Sequence, residues 1–488
     1  MTINNELFTR PPLDFEIPND GVTDVDRPGD AKQWKVLEYE LASFVCEGEY
    51  EHGLERILDS YLRHRSSTTQ PAVWVSGFYG SGKSHLVRVL QHLWADTTLP
   101  TGASARGLVN LTQGTRDQLA ELTTLGKRDG FAPWSAAGAL DRSGDTLNSV
   151  FLAIVLGAAG LPTRVEPAQV ALWLASKGDL DAVRAQVEAS GADFIEELSE
   201  YNLSTRLADA ILAVDPSFAA NGADVRKALR SQFPPEARAL STDETVALSR
   251  KVLQHVGGGV IPPTLIVLDE VQEYISGESG RAGEVRELVE SVRNSFDGRV
   301  LLVATGQQEL TADATLQKIQ DRFTVKVILK IQDVDAVVRR VLLNKEPAQR
   351  STLESALAGV AGEISRQLVG SKIQHTAQDD ADLVEDYPVL PSRRRFWESV
   401  LRQADAGRAG QLRSQLRIVH DANRLVANKP VGTAVGADYL YSAKHEDLNG
   451  AGLLLKETQR LIHDQGQKEP LRGRVLGREA APSAPDRG

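Results

Sequence analysis

Residues 72–90 read Ala72-Val73-Trp74-Val75-Ser76-Gly77-Phe78-Tyr79-Gly80-Ser81-Gly82-Lys83-Ser84-His85-Leu86-Val87-Arg88-Val89-Leu90. Within them, Gly77 to Ser84 form a complete phosphate-binding loop pattern. Its flanks carry as much weight as the loop itself. The apolar run Ala72–Ser76 predicts a buried strand, and Leu86, Val87, Val89, Leu90 and Leu93 fall on one face of a following helix. Strand, glycine-rich turn, Lys-Ser and helix are the context that separates this motif from a chance glycine-rich turn. The glycines let backbone N–H groups turn inward, and the helix N-terminus adds partial positive charge. Gly77, Phe78, Tyr79, Gly80, Ser81, Gly82, Lys83, Ser84 and His85 are therefore the expected phosphate-binding set. Lys83 is placed to reach the β- and γ-phosphates and Ser84 to put its hydroxyl on Mg²⁺. His85, in the first helical turn, is expected to pack rather than to react.

A second motif completes the first. Leu265-Ile266-Val267-Leu268-Asp269-Glu270 is a continuous apolar run ending in two acids. On a buried strand, Asp269 would hold Mg²⁺ beside the phosphate loop, and Glu270 would polarise the water that attacks the γ-phosphate. The two motifs are expected to meet around one magnesium-bound triphosphate, on adjacent strands. The run 299–305 is a third buried strand and 325–329 a fourth, so a parallel sheet covered on both faces is expected. Lys83 and Asp269 lie much farther apart in sequence than a minimal phosphate-loop domain needs, so a mainly helical insertion is placed at 105–245.

The remaining candidates follow the pattern of AAA+ ATPases, which the chain resembles. There, the strand between the two motif strands carries a polar sensor. Thr305 is the first choice for that role and Gln307 the second. Asp321-Arg322-Phe323 precedes the last strand where such proteins carry an arginine finger; Arg322 would act on the nucleotide of a neighbouring subunit, which implies a homo-oligomer. Arg413 or Arg417, in a helical region after residue 333, would supply a second sensor from a lid. The fold class expected is α/β: a P-loop NTPase of the ASCE/AAA+-like kind, with a large helical insertion and a C-terminal helical lid. Its parts are an arm and helices at 1–65, core segments at 66–104 and 246–332, the insertion, a lid-like region at 333–465, and a Gly/Pro/Arg-rich disordered tail at 466–488.

Bulk properties set the frame. The chain has 488 residues with 25% charged and 41% hydrophobic, ordinary for a globular protein with several domains. Its net charge of -11 argues against a uniformly basic nucleic-acid coat. A local basic run, Arg393-Arg394-Arg395, could still bind DNA phosphates. The single cysteine, Cys46, excludes an internal disulfide and a cysteine-based zinc site. Met1–Glu16 lacks the apolar core of a signal peptide, and no apolar run reaches membrane-spanning length. A cytoplasmic location with no membrane partner is expected.

The motifs carry a closer resemblance. The stretch Glu38-Tyr39-Glu40-Leu41 to Phe44, Glu49-Tyr50 and Gly53-Leu54, together with Val73 through His85, Ala105-Arg106-Gly107-Leu108-Val109-Asn110-Leu111, Leu268-Asp269-Glu270-Val271-Gln272-Glu273-Tyr274 and Asp438-Tyr439-Leu440-Tyr441, resembles the P-loop proteins of the BREX system, the BrxC/PglY family. The resemblance implies a cytoplasmic ATPase of antiphage defence. Its partners would be other BREX components, a DNA methyltransferase and a phosphatase-like protein among them, and its cofactors ATP and Mg²⁺. Members of that family are usually longer, which implies a truncated or split member. The rival functions are a nucleotide-gated scaffold with little hydrolysis and a DNA-loading or remodelling ATPase.

Overall fold

The computed structural model describes residues 2–18, 25, 26, 28–77, 81–128, 130–140, 146–235, 239–276, 280–311, 314–366, 369–371, 374–405, 415–436, 439–441, 443 and 460. The chain divides into two compact units. One comprises Asp24–Phe78 and Gly82–Lys330; the other comprises Met1–Thr23, Tyr79–Ser81 and Ile331–Gly488.

The first unit is α/β and is built on five parallel strands: β1 (Ala72–Gly77), β2 (Trp134–Ala139), β3 (Thr264–Asp269), β4 (Val300–Gly306) and β5 (Phe323–Leu329). Their spatial order is β2-β3-β4-β1-β5. Every residue of β1, β3 and β4 is buried. That is why these three read as unbroken apolar runs: a central parallel strand covered on both faces has no solvent side to mark with polar residues. The edge strands β2 and β5 alternate or fade in burial.

Two expectations need correction here. The strands of the phosphate loop and of the acid pair are not adjacent, because β4 lies between them. The register shows why their ends still converge. Val75 stands beside Thr305, and Leu268 beside Ala304, so Asp269 falls in the same row as Thr305. Neighbouring strands run about 4.8 Å apart, which leaves β1 and β3 about 10 Å apart with Thr305 between them. The second correction concerns the segment 105–245, which is not all helical insertion. It contains β2, whose Trp-Ser-Ala-Ala-Gly-Ala sequence lacks the branched side chains that advertise a buried strand.

Helices α1 (Ala31–Ala42) and α2 (Gly48–His64) precede β1, and α3 (Lys83–Ala95) follows the phosphate loop. Leu86, Val87, Val89, Leu90, Leu93 and Trp94 of α3 are buried. At about 1.5–3 kcal/mol each, their burial is the largest force holding α3 on the sheet. Helices between Leu147 and Gln232 form the inserted part. Phe151, Leu174, Tyr201, Ile211 and Leu229 of that part share one continuous core with Trp74 of β1 and Ile266 of β3. The insertion is thus an outgrowth of the sheet's own core rather than a separately folded body.

In the second unit, residues 2–9 do not form the open arm that their polar composition suggested. A short 3-10 helix spans Asn4–Leu7, and Leu7 and Phe8 are buried. The Asn4 side chain donates to the carbonyls of Val426 (3.0 Å) and Thr433 (2.9 Å) and accepts from the Tyr387 hydroxyl (2.6 Å). α-Helices at Ile331–Val341, Arg350–Ala358, Ala361–Arg366, Ala377–Asp386, Pro391–Asp405 and Gln415–Val426 lie in the described part of residues 331 onward. Residues 466–488 lie outside the described residues.

Candidate phosphate-binding site

The chain turns out of β1 at Gly77, and α3 begins at Lys83. Phe78, Tyr79 and Gly80 lie outside the described residues; Ser81 is buried. Gly82 caps the helix in the left-handed region at φ 81°. It has two independent reasons to be glycine. Only glycine adopts that backbone without cost, and a Cβ there would stand 2.7 Å from the Tyr50 hydroxyl oxygen. No side chain caps the helix start, and a helix N-terminus is where amide groups and partial positive charge can meet an anion.

Lys83 Nζ donates to the Gly77 carbonyl at 2.9 Å, which folds the side chain back to the end of β1. Burial pushes its pKa down, and the carboxylates of Asp269, Glu273 and Glu270, in that order, pull it back up. The lysine of the first motif therefore stands in the field of the acids of the second.

Asp269, at the end of β3, is only 4% exposed. Its Oδ1 accepts from the Thr305 hydroxyl and from the Glu270 backbone N–H at 3.1 Å. The Glu270 N–H also donates to Thr305 Oγ1 at 3.0 Å. Thr305 therefore braces the acid strand against β4 in this structure. Glu270 is half-buried and adopts φ 60°, a conformation costly for a residue with a side chain. The chain turns there from strand into the helix Val271–Ser276.

Sequence reasoning gave no role to Glu273 or Gln272. Glu273 bears on Lys83 ahead of Glu270, and its Oε1 accepts from Gln307 Nε2 at 2.8 Å. Gln272 Oε1 accepts from the Gln308 N–H at 2.8 Å, and Trp74 donates its indole N–H to the Gln308 carbonyl at 3.0 Å. Glu273 belongs to the helix Val271–Ser276, so its place depends on how that helix leaves the end of β3 rather than on a spacing the sequence shows. Gln307 is accordingly engaged with an acid in this structure.

The other candidates fall elsewhere. His85 points its Nε2 at the Glu40 carbonyl (2.9 Å) and meets Phe44 edge-on at 5.5 Å, a packing arrangement. Burial pushes its pKa below the usual value. Arg322 ends a 3-10 turn just before β5 and pairs with Glu290 at 2.9 Å. Phe323 stands beside Ala72, at the start of β1, so Arg322 lies at the opposite end of the sheet from Gly77. At about 3.3 Å per residue this puts it roughly 17–20 Å from its own phosphate loop. Arg417 is half-exposed near Asp421; Arg413 and Asp438 lie outside the described residues.

The Arg393–Arg395 run is not a phosphate-binding face. Arg393 and Arg394 are 3% and 5% exposed. Arg393 donates to the Val435 carbonyl, Arg394 to Asp386 (2.6 Å) and Asp335, and Arg395 to Asp379 (2.9 Å) and the Gln374 carbonyl (3.0 Å). Buried guanidinium groups require such partners, and these have them. The run reads as basic only until its acids are located.

The residues present suit a magnesium-bound phosphate. The Ser84 hydroxyl and Asp269 carboxylate are hard oxygen donors, the class Mg²⁺ prefers. Among the described residues, no group of three or more His, Cys, Asp or Glu could hold a metal ion alone. Mg²⁺ is commonly held by one or two carboxylates with substrate phosphates and waters completing the shell. Among the described residues, no helix is long and apolar enough to cross a membrane. No protein-family model matches the chain.

Proposed function

We propose that this chain binds ATP with Mg²⁺ and hydrolyses it, as a P-loop ATPase of the ASCE/AAA+ kind. The observation that carries the reading is where the strands end: β1 runs into the glycine-rich loop and β3 into Asp269 on neighbouring rows of β4. A lysine at the start of a helix, behind a glycine-rich loop, faces the acids at the end of another strand of the same parallel sheet. A polar strand end, Thr305, lies between the two motifs. In the proposed reaction Lys83 and the first amides of α3 hold the phosphates, and Ser84 and Asp269 serve the metal. Bound Mg²⁺ would neutralise phosphate charge. Glu270 orients the attacking water and takes its proton as the new P–O bond forms and the β–γ bridging bond breaks.

The placement in BREX defence, with a DNA methyltransferase and a phosphatase-like protein as partners, rests on the sequence resemblance. The site geometry does not add to it. Arg322 would complete the site of a neighbouring copy, which its distance from its own loop favours over a role within one chain.

Binding of a fluorescent ATP analogue and phosphate release test the enzymatic reading. Lys83→Ala should abolish binding. Glu270→Gln should keep binding and lower turnover by about a hundredfold or more. Binding by Lys83→Ala at wild-type affinity would overturn the assignment. Absent phosphate release by the wild-type chain, with DNA and partners added, would leave a nucleotide-gated scaffold. Loss of phage protection in cells carrying Glu270→Gln, within a BREX locus containing this chain, tests the defence role.

A further inference from the structure

The inserted helices carry a cluster that the nucleotide site does not use. Trp173, on the helix Val165–Lys177, meets Phe218 at 5.3 Å with rings inclined by 51°, and Phe233 at 6.1 Å inclined by 59°. Trp173 and Phe218 are thus inclined walls rather than a stack, with Phe233 against Trp173. The two walls hold a cation: Lys177 Nζ lies 4.7 Å from the Trp173 ring centre and 5.0 Å from that of Phe218. Asp215 supplies a counter-charge, 3.4 Å from the same ammonium.

The walls are preformed. Ser217 donates its N–H (3.1 Å) and its hydroxyl (2.6 Å) to Asp215 Oδ1, and Phe218 closes the turn with its N–H on the Asp215 carbonyl at 3.2 Å. Phe233, which packs against Trp173, is itself fixed, its carbonyl accepting from the buried Tyr201 hydroxyl. By contrast, the occupant is loosely held. Lys177 is the last residue of its helix, before Gly178, and is exposed. Its ion pair with Asp215 is the kind that contributes little at a surface. Two half-buried aromatic rings with a carboxylate beside the ammonium constitute an environment that recognises ammonium and alkylated ammonium groups.

We infer that Trp173, Phe218 and Asp215 form a docking box for a lysine-type ammonium side chain, methylated or not, of a partner polypeptide, with Lys177 as the internal occupant that the partner displaces. The occupant is chosen from what already fills the box: a lysine stem, entering from the solvent side, with its charge against the rings. The inference is independent of ATP hydrolysis.

The test titrates the full-length chain with a short blocked peptide carrying one trimethyllysine, followed by tryptophan fluorescence. Lys177→Ala should bind saturably and about tenfold more tightly than wild type, because the competing ammonium is gone. Lys177→Ala with Trp173→Ala should show no saturable change, and Phe218→Ala should weaken binding in the Lys177→Ala background. No saturable change with Lys177→Ala would overturn the proposal, as would a change that persists in the Trp173→Ala double variant. If Lys177→Ala fails to fold by circular dichroism, Lys177→Gln serves the same comparison.

Discussion

Replacing Thr305 with valine removes one hydroxyl and leaves the shape of the side chain. That hydroxyl donates to Asp269 Oδ1 and accepts the Glu270 N–H, so a single atom joins the end of β4 to both acids. A hydrogen bond to a buried charged group contributes about 1.5–3 kcal/mol, and a neutral one about 1 kcal/mol. The Glu270 N–H keeps its second acceptor, Asp269 Oδ1, which limits that part of the loss. The expected cost is therefore about 2–4 kcal/mol. It would be read as a shift in the urea midpoint at unchanged slope. Thr305→Ser keeps the oxygen and should cost about 1 kcal/mol or less. Turnover should fall with stability in Thr305→Val and return in Thr305→Ser. A Thr305→Val protein as stable as wild type, yet inactive, would refute the bracing role. It would mean that the hydroxyl acts on the nucleotide instead.

Three further predictions concern buried charge. Arg88 Nε lies 3.2 Å from Glu40 Oε2, with both side chains almost wholly buried, and the pair ties α1 to α3. Arg88→Met should cost about 3–5 kcal/mol in denaturation, whereas Arg88→Met with Glu40→Met should cost clearly less, because no isolated charge is left inside. Burial lowers the pKa of Lys345 to about 7 from an unfolded value of 10.5. Between those values the unfolded chain holds the proton and the folded chain does not, so this group makes stability rise with pH, by roughly 5 kcal/mol across the window. Lys345→Met should flatten that rise and be more stable than wild type at pH 6; an unchanged pH profile would remove the effect. Burial holds His92 near 3, below its unfolded 6.5, so its contribution is present at neutral pH and is lost as pH falls from 6.5 toward 3. His92→Gln should lose less stability over that range when melting temperatures are compared.

The phosphate loop and acid pair were legible because both are local signals. A glycine-rich turn between strand and helix, and an apolar run ending in acid, are complete within a few residues. The central strands were legible for a related reason: burial on both faces removes polar residues, and β1, β3 and β4 show that directly. β2 was not, because an edge strand made of Trp, Ser, Ala and Gly lacks the side chains that signal a sheet interior.

The sequence alone determined that a strand, a glycine turn and a helix N-terminus would present amides and a lysine together. Backbone geometry enforces that locally, down to Gly82 in the left-handed region; the closeness of the Tyr50 hydroxyl to Gly82 is a tertiary addition. Tertiary structure decided everything that depends on which distant residues face each other. It set β4 between the two motifs, put Glu273 in the field of Lys83, and bound Thr305 to Asp269. It also turned the Arg393–Arg395 run inward onto Asp335, Asp379 and Asp386. A charge in a sequence announces its sign but not its partner, and in a folded chain the partner determines whether that charge meets a ligand or fills the interior.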